Sequence, residues 1–245
     1  MKNKSLILVL LAGLSLSGAA QAALYDRGGG LVYDDVLNIT WLQVANYAKT
    51  QFTTSGGTLG DADGLMNWSA ASTWAANLVY HDSVRNVDYS DWRLPTVSPI
   101  NGNAFNYNFS VSGATDYGYN VSAPGTAYAG AAGSEMAHLF FNDLGNKAFY
   151  NASGTFQSGY GVTNSGPFQN LHSRAYWSGT DYATYFAWVF GNDDGSQAYF
   201  DKRGDAVYAW AVRPGDVAAV PEADTWAMLL AGLGLVGMAA RRRRG

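Results

Sequence analysis

The chain has 245 residues, 48% of them hydrophobic and 14% aromatic, with no cysteine and a formal charge of −4. That length suits one elaborated domain with terminal extensions, and the missing cysteines exclude a disulfide frame, a thiol nucleophile and any cysteine–metal site. Residues 23–220 hold nine basic and seventeen acidic residues, about −8 in all, which argues against nucleic acid as a partner and gives no pull toward anionic lipid.

Met1 to Ala22 carries Lys2 and Lys4, an apolar stretch from Leu6 to Leu16, and the small residues Ala20 and Ala22 around Gln21. Charge, apolar core and A-x-A site in that order are a secretory signal peptide cut by signal peptidase. Residues 1–22 are therefore set apart from the fold as a separate N-terminal signal helix. Asp26 to Gly30 reads as a flexible turn opening the mature chain. Leu31-Val32-Tyr33 and Ile39 to Leu42 read as short strands, followed by a short helix around Val44 to Lys49 and a Gly/Thr-rich loop to Gly64.

Asn67 to Tyr80 has Trp68, Ala71, Trp74 or Ala75, and Leu78 at helical spacing, with Asn67 or Ser69 as a cap. Val97 to Gly133 is rich in Asn, Ser, Gly and Tyr without periodicity, which predicts an insertion over the domain surface. Ser134 to Leu144 predicts a second helix, capped by Ser134 and ended by Gly145. The last third has short aromatic and β-branched runs at 176–180, 185–190, 197–201 and 207–213, separated by Gly/Asp/Asn turns, as in an antiparallel meander. Helices early and sheet late give an α+β class with two main helices, a small antiparallel sheet and long loops.

From Trp226 to Ala240 the chain is uncharged, and Arg241, Arg242, Arg243 and Arg244 follow. An apolar span of this kind is short for the roughly 20 residues a membrane helix needs, so 225–240 is a short membrane helix held by its basic end on the cytoplasmic side. With Pro221 and Glu222 just before it, the order resembles the PEP-CTERM sorting signal of Gram-negative, exopolysaccharide-producing bacteria. Ala223 stands where that motif has its second proline. The resemblance implies an exosortase that processes the chain near Pro221-Glu222, and a domain order of 1–22 signal, 23–216 body and 217–245 sorting signal. It places the protein outside the cytoplasm, at the envelope, surface or matrix, held transiently in the membrane.

Three blocks in the body also line up with a family: Asp91-Trp92-Arg93-Leu94-Pro95-Thr96, Tyr176-Trp177-Ser178-Gly179-Thr180 and Ala209-Trp210-Ala211-Val212-Arg213-Pro214. In this order they resemble the Lcl C-terminal domain, first described on a collagen-like adhesin. The resemblance implies a C-type-lectin-like fold, in which first and last strands meet, and an adhesive or ligand-binding role with no common reaction.

Catalytic signals are weak. His81, His138 and His172 have no zinc spacing. His81 is read at a helix end and His138 on the polar side of its helix. No Gly-x-Ser-x-Gly elbow occurs, and no two acids single themselves out as a glycosidase pair. Asp61 and Asp63 form part of a calcium-like loop without its remaining ligands. Asp193 and Asp194, in Asn192-Asp193-Asp194-Gly195, are the better calcium candidates, although a hairpin turn explains them too. No other cofactor is expected. Arg93 and Arg213 are assigned to internal ion pairs, and Trp177, Trp188 and Trp210 to the core. Tyr107, Tyr117 and Tyr119, in the long loop, are candidate ligand residues because an aromatic face matches the C–H face of a sugar. The reading is a non-enzymatic exported protein that binds or organises surface glycan or exopolysaccharide. The alternatives are a secreted hydrolase acting on exopolysaccharide and a purely structural matrix protein.

Overall fold

The computed structural model describes residues 24–218; the signal segment 1–22, its cleavage residues and the span 225–240 with its arginines lie outside them. Thirteen strands and three short helices follow in chain order: β1 Leu24–Asp26, β2 Leu31–Asp34, β3 Ile39–Leu42, α1 Tyr47–Thr54, β4 Leu65–Met66, α2 Trp68–Ala76, β5 Tyr80–Asp82, β6 Val87–Tyr89, β7 Phe109–Ser110, β8 Tyr117–Tyr119, α3 Glu135–His138, β9 Ala175–Ala183, β10 Phe186–Gly191, β11 Ser196–Asp201, β12 Val207–Tyr208 and β13 Val212–Pro214. A π-helical turn, Leu139–Asp143, continues α3.

The expectation of a two-helix, lectin-like α+β domain is overturned. The body is mostly sheet: a mixed seven-stranded sheet in the order β4-β12-β9-β10-β11-β8-β7, a four-stranded sheet β1-β2-β3-β13, and the hairpin β5-β6. The physical reason lies in segment length. Strands of two to four residues are too short to show alternation in sequence, and their ladders are closed by partners far along the chain. The insertion 97–133 is not merely laid over the surface; it supplies β7 and β8, which extend the sheet beyond β11. The expected second helix divides into four α-helical residues and the π turn, where bonds such as Leu144 N–H to Leu139 O (3.0 Å) widen the coil.

The large sheet is apolar on both faces because its strands alternate. Tyr176, Phe190, Tyr208 and Trp210 belong to one core with Leu31, Trp41, Phe140 and Phe141. Their neighbours Trp177, Val189, Val207 and Ala209 belong to a second core under α2, with Ala71 and Ala75. Period-two alternation sends successive side chains to opposite faces, so one strand serves two cores.

The run read as a single strand, 207–213, changes sheets. Val207 and Tyr208 pair with β4 and β9, whereas Val212 to Pro214 pair with β3. Trp210 sits at the crossing, 2% exposed. Its indole N–H donates to Leu42 O (2.8 Å), and its ring lies 4.7 Å from Trp41 and 4.8 Å from Phe168. Two bidentate ion pairs brace the same region. Arg93 donates to both Glu135 oxygens (2.8 and 2.7 Å), Glu135 Oε2 also accepts from Thr96 N–H (2.6 Å), and Arg213 donates to both Asp91 oxygens (2.7 and 3.0 Å).

The turn before β2 is built, not slack. Gly28, Gly29 and Gly30 all have positive φ (68°, 64° and 77°), and a Cβ on Gly29 would stand 2.3 Å from Asp82 Oδ1, so only glycine fits. Trp210→Ala is expected to cost about 3–5 kcal/mol, the usual range for truncating a buried tryptophan, read as a lower urea midpoint at unchanged slope.

Candidate functional site

Along β10, Phe186, Trp188 and Phe190 alternate with Ala187 and Val189. Trp188 is fully buried, but what covers it is aromatic and partly open to solvent. Phe105, Tyr107 and Tyr182 pack on it at 5.6, 6.1 and 4.8 Å between ring centroids, Tyr107 stacked at 9°. Tyr182 stacks on Tyr199 at 4.0 Å, Tyr199 meets Tyr117 at 5.4 Å, and Phe109 bridges Tyr117 and Tyr119 at 5.3 and 6.1 Å. From Tyr119 the contacts run through Tyr150 to Phe149, and from there to Phe156 and Tyr160. Offset and edge-on pairs of this kind each stabilise by about 0.5–1.5 kcal/mol beyond area burial.

This band brings together the three tyrosines singled out from the sequence. Tyr107, at 47% exposure, is the most open; Tyr117 and Tyr119 are half-buried. Phe109, Phe156 and Tyr160 add exposed rings that sequence reasoning missed. Their signal was the aromatic density of two loop-like segments, but nothing in the order of residues shows that 105–119 and 149–160 join one band. The loop that presents it is organised from inside by Asp116, whose Oδ1 and Oδ2 accept from Ile100 and Asn106 N–H (2.8 and 2.7 Å), while Gln197 donates to its backbone oxygen (2.7 Å).

The Asp193–Asp194 pair lies at the end of the β10–β11 hairpin. Asp194 Oδ1 accepts from Ser196 N–H and Oγ–H (2.9 and 2.7 Å), and its Oδ2 accepts from the Tyr119 hydroxyl (3.2 Å). Burial, then the Asp194 charge, pushes the Tyr119 hydroxyl up to about 12 and raises Asp193 from its ordinary value. Among the described residues no group of three His, Asp or Glu side chains is placed to hold a metal ion. Asp61 and Asp63 cap their own turn, accepting from Gly64 and Leu65 N–H (2.9 Å each).

Two histidine assignments are corrected. His81 is in the β5–β6 hairpin, paired with Asp88 at 2.7 Å, because α2 ends at Ala76 and the polar residues beyond it turn back as strand. His138 is 2% exposed, and neither ring nitrogen has a hydrogen-bond partner; the side expected to be polar is enclosed by β2 and the π turn. There Asp34 and Asp143 face each other. Asp34 Oδ1 accepts from Val36 and Leu37 N–H (3.1 and 2.9 Å), leaving Oδ2 and both Asp143 oxygens without a donor. Burial, then the charges of Asp34 and Asp35, pushes the Asp143 carboxyl up to about 8, and burial raises Asp34 as well. A carboxyl kept protonated by burial would supply the donor that this pair lacks.

The unpartnered oxygens of that pair are buried, and neither residue lines any of the three grooves described. A groove of about 570 Å³ between α1 and α2 is lined by Gln51, Asn67, Thr73 and Trp74, a second of about 340 Å³ lies beside Lys49 and His172, and a third of about 270 Å³ contains Asp193 and Arg174. None of these three holds two carboxylates. Among the described residues no helix is long and apolar enough to cross a membrane.

Residues 219–244 match the family model of the PEP-CTERM protein-sorting motif. The match begins one residue beyond the described body and covers the segment read from sequence as a sorting signal. It supports an exported protein, sorted by an exosortase and associated with the envelope or surface. The body has no match to the Lcl C-terminal or C-type-lectin-like families. No curated protein and no solved structure matches the chain.

The acid pair generates a pH signature. Asp143 holds its proton to about pH 8 when folded, against an ordinary value of 3.8. Between those values the folded state binds more protons than the unfolded state, so stability falls as pH rises from about 4 to about 8. Asp143→Asn is expected to flatten that slope, read from urea midpoints at pH 5 and pH 8; an unchanged slope would remove that proton.

Proposed function

We propose that the exported body binds polymer through the aromatic band, holding surface or matrix glycan without turning it over. The observation that carries this reading is the unbroken run of rings from Phe105 to Tyr160, with Tyr107, Phe109, Phe156 and Tyr160 open to solvent. Ring faces set along a sheet suit repeated sugar units, because each ring offers an apolar plane to an apolar C–H face. Sorting toward the envelope puts the band where such polymers are. The hydrolase alternative is disfavoured because none of the three grooves described is lined by two carboxylates. A structural matrix protein without a discrete ligand is the remaining alternative.

The test is affinity electrophoresis of the purified exported protein in gels containing the producing organism's own exopolysaccharide, with and without calcium. Tyr107→Ala is expected to weaken retardation severalfold, and the combined Tyr107→Ala, Tyr117→Ala and Tyr119→Ala variant about tenfold or more, as stacking contacts of about 1 kcal/mol each imply. Retardation unchanged in both variants would overturn the band as the binding surface; release of sugar by the wild type would favour the hydrolase. Dependence of retardation on calcium, lost in Asp193→Asn, would assign the metal role to the hairpin.

The sorting segment yields a separate expectation. Mass spectrometry of the surface-associated protein should find a C-terminus near Pro221-Glu222, without Arg241 to Arg244. An intact tail would make 225–240 a lasting anchor.

A further inference from the structure

We propose that the pocket between α1 and the Asn170–His172 turn binds a carboxylated sugar, a uronate, in addition to whatever the aromatic band holds. The argument begins with charge. Of the nine Lys and Arg residues in the described body, Arg27, Arg85, Arg93, Lys202, Arg203 and Arg213 are in ion pairs. Lys49, Lys147 and Arg174 are the three without one. Two of those three, Lys49 and Arg174, act on the same histidine: after burial, their charges are what hold His172 below its ordinary range. In a body with almost twice as many acids as bases, two cations outside the close ion pairs act on one ring. Arg174 also faces Asp193, and Lys49 reaches Asp63, whose carboxylate is turned to Leu65 N–H (2.9 Å).

The cavity is about 340 Å³, at the small end of ligand sites, and its wall includes Asn46, Lys49, Thr50, Thr53, Asn170 and His172. Asn46 is 2% exposed; its Nδ2 donates to Asp63 O (3.0 Å) and touches His172 Nε2 (3.4 Å), while its Oδ1 is buried against Gly64. His172 is held flat against Tyr208 (4.5 Å, 9°), and its backbone N–H donates to the Tyr176 hydroxyl (2.9 Å). A fixed imidazole and a flexible ammonium suit a carboxylate. The threonine hydroxyls of α1 and the Asn170 amide suit the hydroxyls beside it. Inorganic anions satisfy only the first half of that set, and neutral sugars only the second.

Anion binding carries a sign. Lys49 and Arg174 oppose protonation of His172 in the free protein, and a bound carboxylate favours it, so binding takes up a proton and tightens as pH falls from about 7.5 to about 5.5. The experiment is isothermal titration of the purified exported protein with oligogalacturonate, with a neutral malto-oligosaccharide and with inorganic phosphate. Oligogalacturonate is expected to bind at least tenfold more tightly than either of the others, and more weakly as salt is raised. Lys49→Gln is expected to weaken it about tenfold. His172→Gln is expected to abolish the pH dependence, and Tyr107→Ala to leave the affinity unchanged. Equal affinity for phosphate or for the neutral sugar, no binding of oligogalacturonate, or full affinity in both Lys49→Gln and His172→Gln with unchanged melting temperatures would overturn the pocket. Loss of uronate binding in Tyr107→Ala alone would transfer it to the band.

Discussion

Everything in this body hangs on one crossing of the chain. Between Tyr208 and Val212 the backbone leaves the seven-stranded sheet and enters the four-stranded one, and Trp210 fills the step. Its indole N–H closes on Leu42 O (2.8 Å) and its ring packs on Trp41, Phe168 and Tyr176. Ala209 and Ala211, both fully buried, flank it, because a larger side chain at either place would compete for volume that both cores already fill at close-packed density. The two sheets are thus joined covalently and by one large side chain, and neither can shift without repacking at Trp210.

The absence of cysteine makes the other ties intelligible. An exported domain of this size commonly uses disulfides to fix its ends; this one uses arginine. Arg27, just after β1, donates to both oxygens of Asp216, beyond β13 (2.9 and 2.6 Å). Arg85 reaches from the β5–β6 turn to Asp82 (2.5 Å), to Arg27 O (2.5 Å) and to Ala218 O (2.6 Å). A guanidinium presents several donors in a fixed fork, so one side chain can hold three segments. The entry to the body and its exit toward the sorting motif are therefore secured at the same four-stranded sheet, and a pull on the tail is first resisted there.

Legibility in the sequence followed segment length and the reach of each interaction. Ile39 to Leu42 and the runs at 176–180, 185–190 and 197–201 are readable because each supplies enough β-branched and aromatic residues to declare itself. Trp177, Trp188 and Trp210 are readable as core because such volumes need burial in a cysteine-free body. β7, of two residues, is not readable, nor is β8, since β7 is held only through β8, and β8 finds its ladder partner in β11, far along the chain. Leu24 to Asp26 carries no strand signal because three residues are too few to show alternation; the neighbouring β2 closes its ladder. His138 was misplaced because helical spacing assigns a face but not what covers it, and Asp34 is supplied by a hairpin a hundred residues earlier. The pairing of Arg93 and Arg213 could be expected in kind, while Glu135 and Asp91 as partners belong to the tertiary structure.

The candidate site shows the same division more sharply. Aromatic residues in a loop rich in Asn, Ser and Gly mark Tyr107, Tyr117 and Tyr119, but their continuity depends on Tyr182 and Tyr199, placed by β9 and β11. Lys49 and His172 carry no sequence signal at all. A lysine becomes informative only when the other cations are seen to be neutralised, and that is a property of the whole ion-pair set. The two surfaces also differ in physical kind. Stacking on the band is insensitive to salt and tolerant of which sugar is presented, whereas a charge-lined pocket is screened by salt and selects for carboxylate. A body carrying about eight net negative charges repels an acidic polymer at long range. Contact with such a polymer therefore requires either the uncharged band or a local reversal of sign, and Lys49 beside His172 is where a cation outside the close ion pairs lines the cavity next to α1.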